Sequence, residues 1–250
     1  MSEVHPQAKP FFLAGSSGQA LLLLHGFTAS PSEIRPLAEL INTINGCCVS
    51  GIMLPGHGSS PEQLNTTRWP EWYQAVNAEL RSLLEQYQQV FVGGLSMGAL
   101  LALHAGVKIE GLAGVMSINA PVYYHQRFLP TFANIIGWAN PYYPKKDLAA
   151  IKKLEDQGRF AYPVMPLKAF QSLNRLRKTV MAEVQNLQIP ALIIQSCEDE
   201  SVHPRSADFL FAKTRARGSR LVMLTGSRHV ASMGVEKEQI AQEMVTFMDG

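Results

Sequence analysis

Val90-Phe91-Val92-Gly93-Gly94-Leu95-Ser96-Met97-Gly98-Ala99-Leu100-Leu101-Ala102-Leu103 is the stretch that decides the fold. Its first half is a continuous apolar run of strand length. Its second half is rich in alanine and leucine and reads as the start of a helix. Only a very tight turn can join the two. Gly94 and Gly98 then keep Cβ atoms out of a crowded backbone, and Ser96 is held at the end of a strand with its hydroxyl presented outward. The N-terminus of the following helix favours negative charge developing nearby. The Gly-x-Ser-x-Gly pattern alone arises by chance in roughly one chain in ten, so its weight comes from the strand and helix on either side.

Similar apolar runs lie on both sides of this stretch. They are Ala20–His25, Cys47–Leu54, Leu112–Ile118, Ala191–Gln195 and Arg220–Leu224. Most are continuous rather than alternating, the pattern of strands buried on both faces. Helical patterns fill the gaps at Ser32–Ile44, Glu71–Gln88, Ser96–Gly106, Pro204–Lys213 and Glu236–Met248. This alternation predicts an α/β fold with a mostly parallel central sheet flanked by helices. No strand run appears from Val122 to Gln185, a stretch holding ten of the chain's 21 aromatic residues and five prolines. The expected organisation is a core of residues 1–121 and 186–250, with an inserted small helical cap at 122–185. Tyr124 and Trp138 are its candidate substrate-lining aromatics.

Composition narrows the function. The chain has 250 residues and a formal charge of +2, and no block of lysine or arginine, so nucleic acid is not an expected partner. Lys145, Lys146, Lys152 and Lys153 are interleaved with Asp147, Glu155 and Asp156 and read as a solvated helix face. No signal peptide is visible, and the apolar run Ala20–Leu24 is far too short to span a bilayer. Cys47, Cys48 and Cys197 have no metal-ligand spacing. They are expected to be reduced packing residues of a cytoplasmic protein, with Cys47 and Cys48 pointing to opposite faces of a strand. No metal site is expected.

A serine hydroxyl is a poor nucleophile until a neutral imidazole accepts its proton and a carboxylate fixes the imidazole tautomer. On a sheet of this kind the chain order is serine, acid, histidine. Of seven histidines, His5, His25 and His57 precede Ser96, and His104 lies two turns along the same helix. His229 follows the last strand, at the carboxyl end of the sheet where Ser96 also lies, and is the candidate base. Asp199 follows the strand Ala191–Gln195 and is the favoured acid, with Glu198 and Glu200 as rivals. A tetrahedral oxyanion needs two preset donors. The backbone N–H of Met97 is one candidate, and that of Phe27, in the loop after Ala20–His25, is the other. The Phe27 side chain is expected to wall the substrate pocket. His25 is expected to hold this loop by a hydrogen bond.

Leu23-Leu24-His25-Gly26-Phe27, Pro55-Gly56-His57-Gly58, Gly94-Leu95-Ser96-Met97-Gly98, Asp199-Glu200-Ser201-Val202-His203-Pro204 and His229 occur in a familiar order. In them the chain resembles the α/β-hydrolase superfamily, in particular its small microbial carboxylesterases and monoacylglycerol-lipase-like members. The similarity runs from about Lys9 to the C-terminus. The resemblance implies Ser96, Asp199 and His229 as catalytic triad and Phe27 and Met97 as oxyanion hole. It also implies short- to medium-chain acyl esters as substrates, no cofactor and a small cap over the acyl site. Ala99 stands where many relatives have a second glycine, and Glu198 beside the acid is a further departure. An acyl thioesterase would use the same triad, and a hydrolase-fold ligand-binding protein could keep it with little turnover. Aspartate-nucleophile relatives do not fit the serine at position 96. Proline iminopeptidases do not fit Phe27-Thr28 in the oxyanion loop.

Overall fold

The computed structural model describes residues 4–125, 141–145, 148–214 and 216–250. Its centre is a seven-stranded sheet built from β1 (Phe11–Leu13), β2 (Gln19–Leu24), β3 (Cys48–Gly51), β4 (Gln89–Leu95), β5 (Leu112–Ile118), β8 (Ala191–Ser196) and β9 (Arg220–Leu224). The spatial order is β1-β3-β2-β4-β5-β8-β9. Only β1 is antiparallel, pairing Phe11 with Gly51.

The continuous apolar runs have a direct cause. Along β2, Ala20, Leu22 and Leu24 join the core on one face, while Leu21 and Leu23 join the core on the other. Val90 and Val92 of β4 oppose Phe91 and Leu95 in the same way. Helices α3 (Trp69–Gln86), α4 (Met97–Lys108), α6 (Leu167–Glu183) and α7 (Arg205–Lys213) cover the first face. Helices α1 (Arg35–Asn45) and α8 (Lys237–Met248) cover the second. With helices on both faces, no strand needs a polar side. Cys47 and Cys48 fall in opposite cores, as their adjacency requires. Cys197 is exposed and is not a packing residue, because it lies in the loop beyond β8.

The strand order also places the site. From β2 the chain steps to β3 on one side, then returns to β4 on the other and continues outward. The loops leaving β2 and β4 therefore flank a topological switch point, where an open α/β sheet forms its crevice. These are the loops that carry Phe27 and Ser96.

The segment 122–185 departs from an all-helical expectation. Besides α5 (Leu148–Asp156) and α6 it contains an antiparallel ribbon, β6 (Tyr142–Pro144) with β7 (Val164–Pro166). Each strand is three residues long and ends in proline, too short and too poor in donors to read as a strand. The α6 helix shares a core with α4 through Phe170, Leu173, Leu176 and Val180. The short β1 and the helix α2 (Pro61–Thr66) also carry too little pattern to be read from sequence. No described helix is long and apolar enough to cross a membrane.

Candidate active site

The turn at Ser96 is as tight as the glycine spacing demands. Ser96 has φ 56° and ψ −114°, a left-handed backbone that a side-chain-bearing residue rarely adopts. A Cβ on Gly94 would run into the backbone of Gly98, and one on Gly98 into the carbonyls of Leu24 and His25. Both glycines are therefore imposed by packing. Met97 opens α4, so its N–H is one of the donors a helix leaves free at its start. The loop after β2 crosses beside this turn: a Cβ on Gly26 would sit 3.5 Å from the Ser96 Cβ. Phe27 follows, with its ring 6.1 Å from Trp72 and 6.2 Å from both Phe170 and His57.

The other two residues of the candidate triad arrive on loops from the carboxyl ends of β8 and β9. Asp199 is 2% exposed. Its Oδ1 accepts the backbone N–H groups of Ser201 and Val202 at 2.8 Å each, which orients the carboxyl group. Its Oδ2 lies 2.7 Å from His229 Nδ1, and His229 Nε2 lies 3.0 Å from Ser96 Oγ. Of the three acids Glu198, Asp199 and Glu200, it is Asp199 that meets the ring. Glu200 instead accepts the His229 backbone N–H at 3.1 Å.

The electrostatics follow from this geometry. Burial of the His229 ring opposes its protonated form, but the Asp199 carboxylate outweighs it and holds the pKa above the ordinary histidine value. Burial of Asp199 alone would raise its pKa. The His229 ring and the two backbone donors reverse that and bring it below the usual carboxylate range. An ionised Asp199 fixes the proton on Nδ1, leaving Nε2 free to accept from Ser96.

His25 braces the loop after β2, the role expected of it. Its Nδ1 lies 2.9 Å from Gly26 O and its Nε2 accepts the Leu54 N–H at 3.3 Å. Burial depresses its pKa, which keeps it neutral for this double role. Tyr124 sits beside Phe170, with ring centroids 6.1 Å apart, and so connects to Phe27 through a chain of aromatic rings. Trp138 lies outside the described residues.

Four residues, Asn119, Glu33, Arg159 and Lys145, have site contacts not expected from the sequence. Asn119, with φ 50°, caps β5. Its side chain accepts the Ser196 N–H at 2.8 Å and donates to the His229 carbonyl at 2.9 Å, tying the strand that precedes Asp199 to the loop that carries His229. Glu33 is 1% exposed. Its Oε1 accepts the Gly26 N–H at 2.5 Å, and its Oε2 receives Arg159 Nη2 at 2.8 Å and Nε at 2.9 Å. The Ser232 hydroxyl donates to its carbonyl, so Glu33 joins the Phe27 loop, the inserted segment and the His229 loop. Lys145, expected on a solvated helix face, precedes α5 and turns inward. Its Nζ donates to Thr28 Oγ1 at 2.7 Å. An asparagine ending an apolar strand was the one readable signal among the four. An acid in a helix's first turn ordinarily reads as a solvated partner of the helix dipole, which hid Glu33.

Among the described residues no group of three or more His, Cys, Asp or Glu could hold a metal ion. The geometry thus offers a hydroxyl and a tautomer-fixed base beside the helix N-terminus that carries the Met97 N–H, a set suited to acyl transfer.

The family model described as "Serine aminopeptidase, S33" matches residues 15–234. The thermostable monoacylglycerol lipase of Bacillus sp. (strain H-257) is 32% identical over 252 residues, covering 99% of this chain and 98% of the relative. The carboxylesterase of Bacillus subtilis (strain 168) is 24% identical over 242 residues and covers 96% of each chain. A solved structure from work on LipS and LipT, two metagenome-derived lipolytic enzymes, has a TM-score of 0.89 at 32% identity over 99% of both chains. On the family match and on these full-length relatives, the chain belongs to the α/β-hydrolase family described as serine aminopeptidase, S33.

Proposed function

We propose that this hydrolase is a carboxylesterase that cleaves short- to medium-chain acyl esters by a two-step serine mechanism, with no cofactor. The observation that carries the reading is the unbroken relay from Asp199 Oδ2 to His229 Nδ1 at 2.7 Å and from His229 Nε2 to Ser96 Oγ at 3.0 Å. Ser96 Oγ attacks the ester carbonyl while its proton passes to Nε2. The carbonyl oxygen becomes an oxyanion held by the N–H groups of Phe27 and Met97. As the tetrahedral intermediate collapses, protonated His229 gives its proton to the departing alcohol. Water then enters and loses a proton to Nε2 as it attacks the acyl carbonyl, and collapse of the second intermediate returns that proton to Ser96 Oγ and releases the acid.

The monoacylglycerol lipase and carboxylesterase among the relatives support ester substrates. The aromatic chain Phe27–Phe170–Tyr124 supports an apolar acyl wall, with the segment 122–185 as its cap. The test is hydrolysis of a chromogenic butyrate ester alongside fluorophosphonate labelling. Ser96→Ala should lower turnover by several orders of magnitude and abolish labelling. Retention of half the activity, or labelling at another residue, overturns the assignment.

A further inference from the structure

Lys145 does not behave as a surface lysine. It follows β6 directly, and its N–H donates to the Pro163 carbonyl at 3.2 Å, so the β6–β7 ribbon fixes its backbone. Its side chain reaches the loop that carries Phe27 and gives one hydrogen bond to Thr28 Oγ1 at 2.7 Å. Thr28 is itself in the left-handed region at φ 63°, and its hydroxyl donates to the Phe27 carbonyl at 2.5 Å. The ammonium therefore stands one residue from a proposed oxyanion donor.

Among the described residues the charges around it do not cancel. Arg159 and Glu33 neutralise each other, and both Glu33 carboxylate oxygens are already engaged. Glu155, the other acid whose field reaches Lys145, is exposed on α5. Thr28 offers a dipole but no charge. Burial, with the neighbouring Arg159 adding to it, lowers the lysine pKa to about 7, while Glu33 and Glu155 act the other way. Lys145 nonetheless keeps some solvent access beside the Thr28–Phe27 turn. A partly desolvated cation there gains most from an anion that arrives with the ligand.

We infer that Lys145 is a specificity-determining residue that selects ester substrates bearing a carboxylate, held beside the Thr28–Phe27 turn. The inference rests on the serine-esterase reading above and narrows its substrate class. The carboxylate could belong to the acyl chain or to the alcohol part, and both sources share one chemistry.

The experiment uses two matched pairs. For the alcohol part, 4-butyryloxybenzoate is compared with 4-butyryloxybenzamide. For the acyl part, the 4-nitrophenyl monoester of glutarate is compared with that of its monoamide. The readout is the anionic-to-neutral ratio of kcat/KM. In one pair this ratio should fall about tenfold in Lys145→Met and survive in Lys145→Arg, and the responding pair identifies the source. In the unmodified protein the same ratio should fall with added salt, a measurement that does not depend on either variant folding. Ratios unchanged within twofold in Lys145→Met, or insensitive to salt, overturn the inference. Calorimetry of glutarate and 4-hydroxybenzoate binding to Ser96→Ala protein, with and without Lys145→Met, gives a readout free of turnover. At least one anion should bind about tenfold more weakly when Lys145 is lost, and equal binding again overturns the inference. If none of the four esters is cleaved and a fluorophosphonate leaves Ser96 unlabelled, the esterase reading itself fails, and calorimetry still decides the role of Lys145.

Discussion

Asp199 and Glu33 are both carboxylates sunk beside the loop-and-elbow crevice, 2% and 1% exposed, and each holds one basic side chain. Asp199 faces an imidazole that can gain or lose its charge. Glu33 faces a guanidinium whose charge is permanent. The first pair can change its charge state, and the second stays as it is. This difference sets what each substitution should cost. Asp199→Asn preserves shape but stabilises the wrong histidine tautomer, so turnover should fall by about 10⁴-fold. Urea unfolding of the same protein should change far less than turnover does. A loss of tenfold or less would mean that Asp199 does not set the tautomer.

Glu33→Gln should invert that pattern. It leaves Arg159, whose side chain is 8% exposed, as a buried charge without its partner. Breaking such a pair costs about 3–5 kcal/mol of stability, readable as a lowered urea midpoint. The activity loss should be smaller than for Asp199→Asn and should appear in kcat, because Gly26 is braced less firmly. Replacing both partners, as Glu33→Leu with Arg159→Met, should recover much of the stability, since no unpaired charge remains. If the double variant is no more stable than Glu33→Gln, the penalty lies in something other than the orphaned charge.

The two pairs also differed in how far the sequence revealed them. The Asp199 pair follows a chain order, with Ser96, Asp199 and His229 each falling just beyond an apolar strand, so the topology alone carries them to one rim. The Glu33 pair joins residues 126 positions apart through a segment without strand signal. Glu33 sits in Pro31–Glu33, where an acid ordinarily faces water. Lys145 failed for a related reason. In Lys145-Lys146-Asp147-Leu148 the charges run into a helical pattern, and the inward turn depends on the ribbon holding Lys145 to Pro163. The fold was legible wherever burial on both faces made a strand wholly apolar. It was illegible at β6 and β7, whose three-residue strands end in proline.

Acid titration distinguishes the two carboxylates again, on a smaller scale. The base must be neutral to accept the Ser96 proton, so kcat/KM should rise with pH as His229 loses its charge. Although burial of the ring pulls its pKa down, Asp199 and to a lesser extent Glu200 and Glu33 hold it up. The acid limb should therefore lie above roughly 6.5, the unperturbed histidine value. In Asp199→Asn the residual activity should have its limb moved to lower pH, and in Glu33→Gln the limb should move the same way by less. An acid limb at or below the unperturbed value in the unmodified protein would mean that burial prevails over Asp199.

The smallest effect tests the aromatic side of the crevice. Tyr124 has a buried hydroxyl with no hydrogen-bond partner among the described residues, and burial pushes its pKa well up. An unpaired buried hydroxyl costs stability, whereas its ring is well used, lying beside Phe170 and under the Arg177 guanidinium at 5.8 Å. Tyr124→Phe keeps the ring and removes the unpaired group, so stability should hold or rise by up to about 1 kcal/mol. Tyr124→Ala removes the ring, and the order of preference among acetate, butyrate and octanoate esters should then shift toward longer chains. A stability loss above about 1 kcal/mol in Tyr124→Phe would reveal a hidden partner for the hydroxyl. An unchanged acyl preference in Tyr124→Ala would show that the wall ends at Phe170, because a ring touching the acyl chain cannot be removed without altering the space that chain fills.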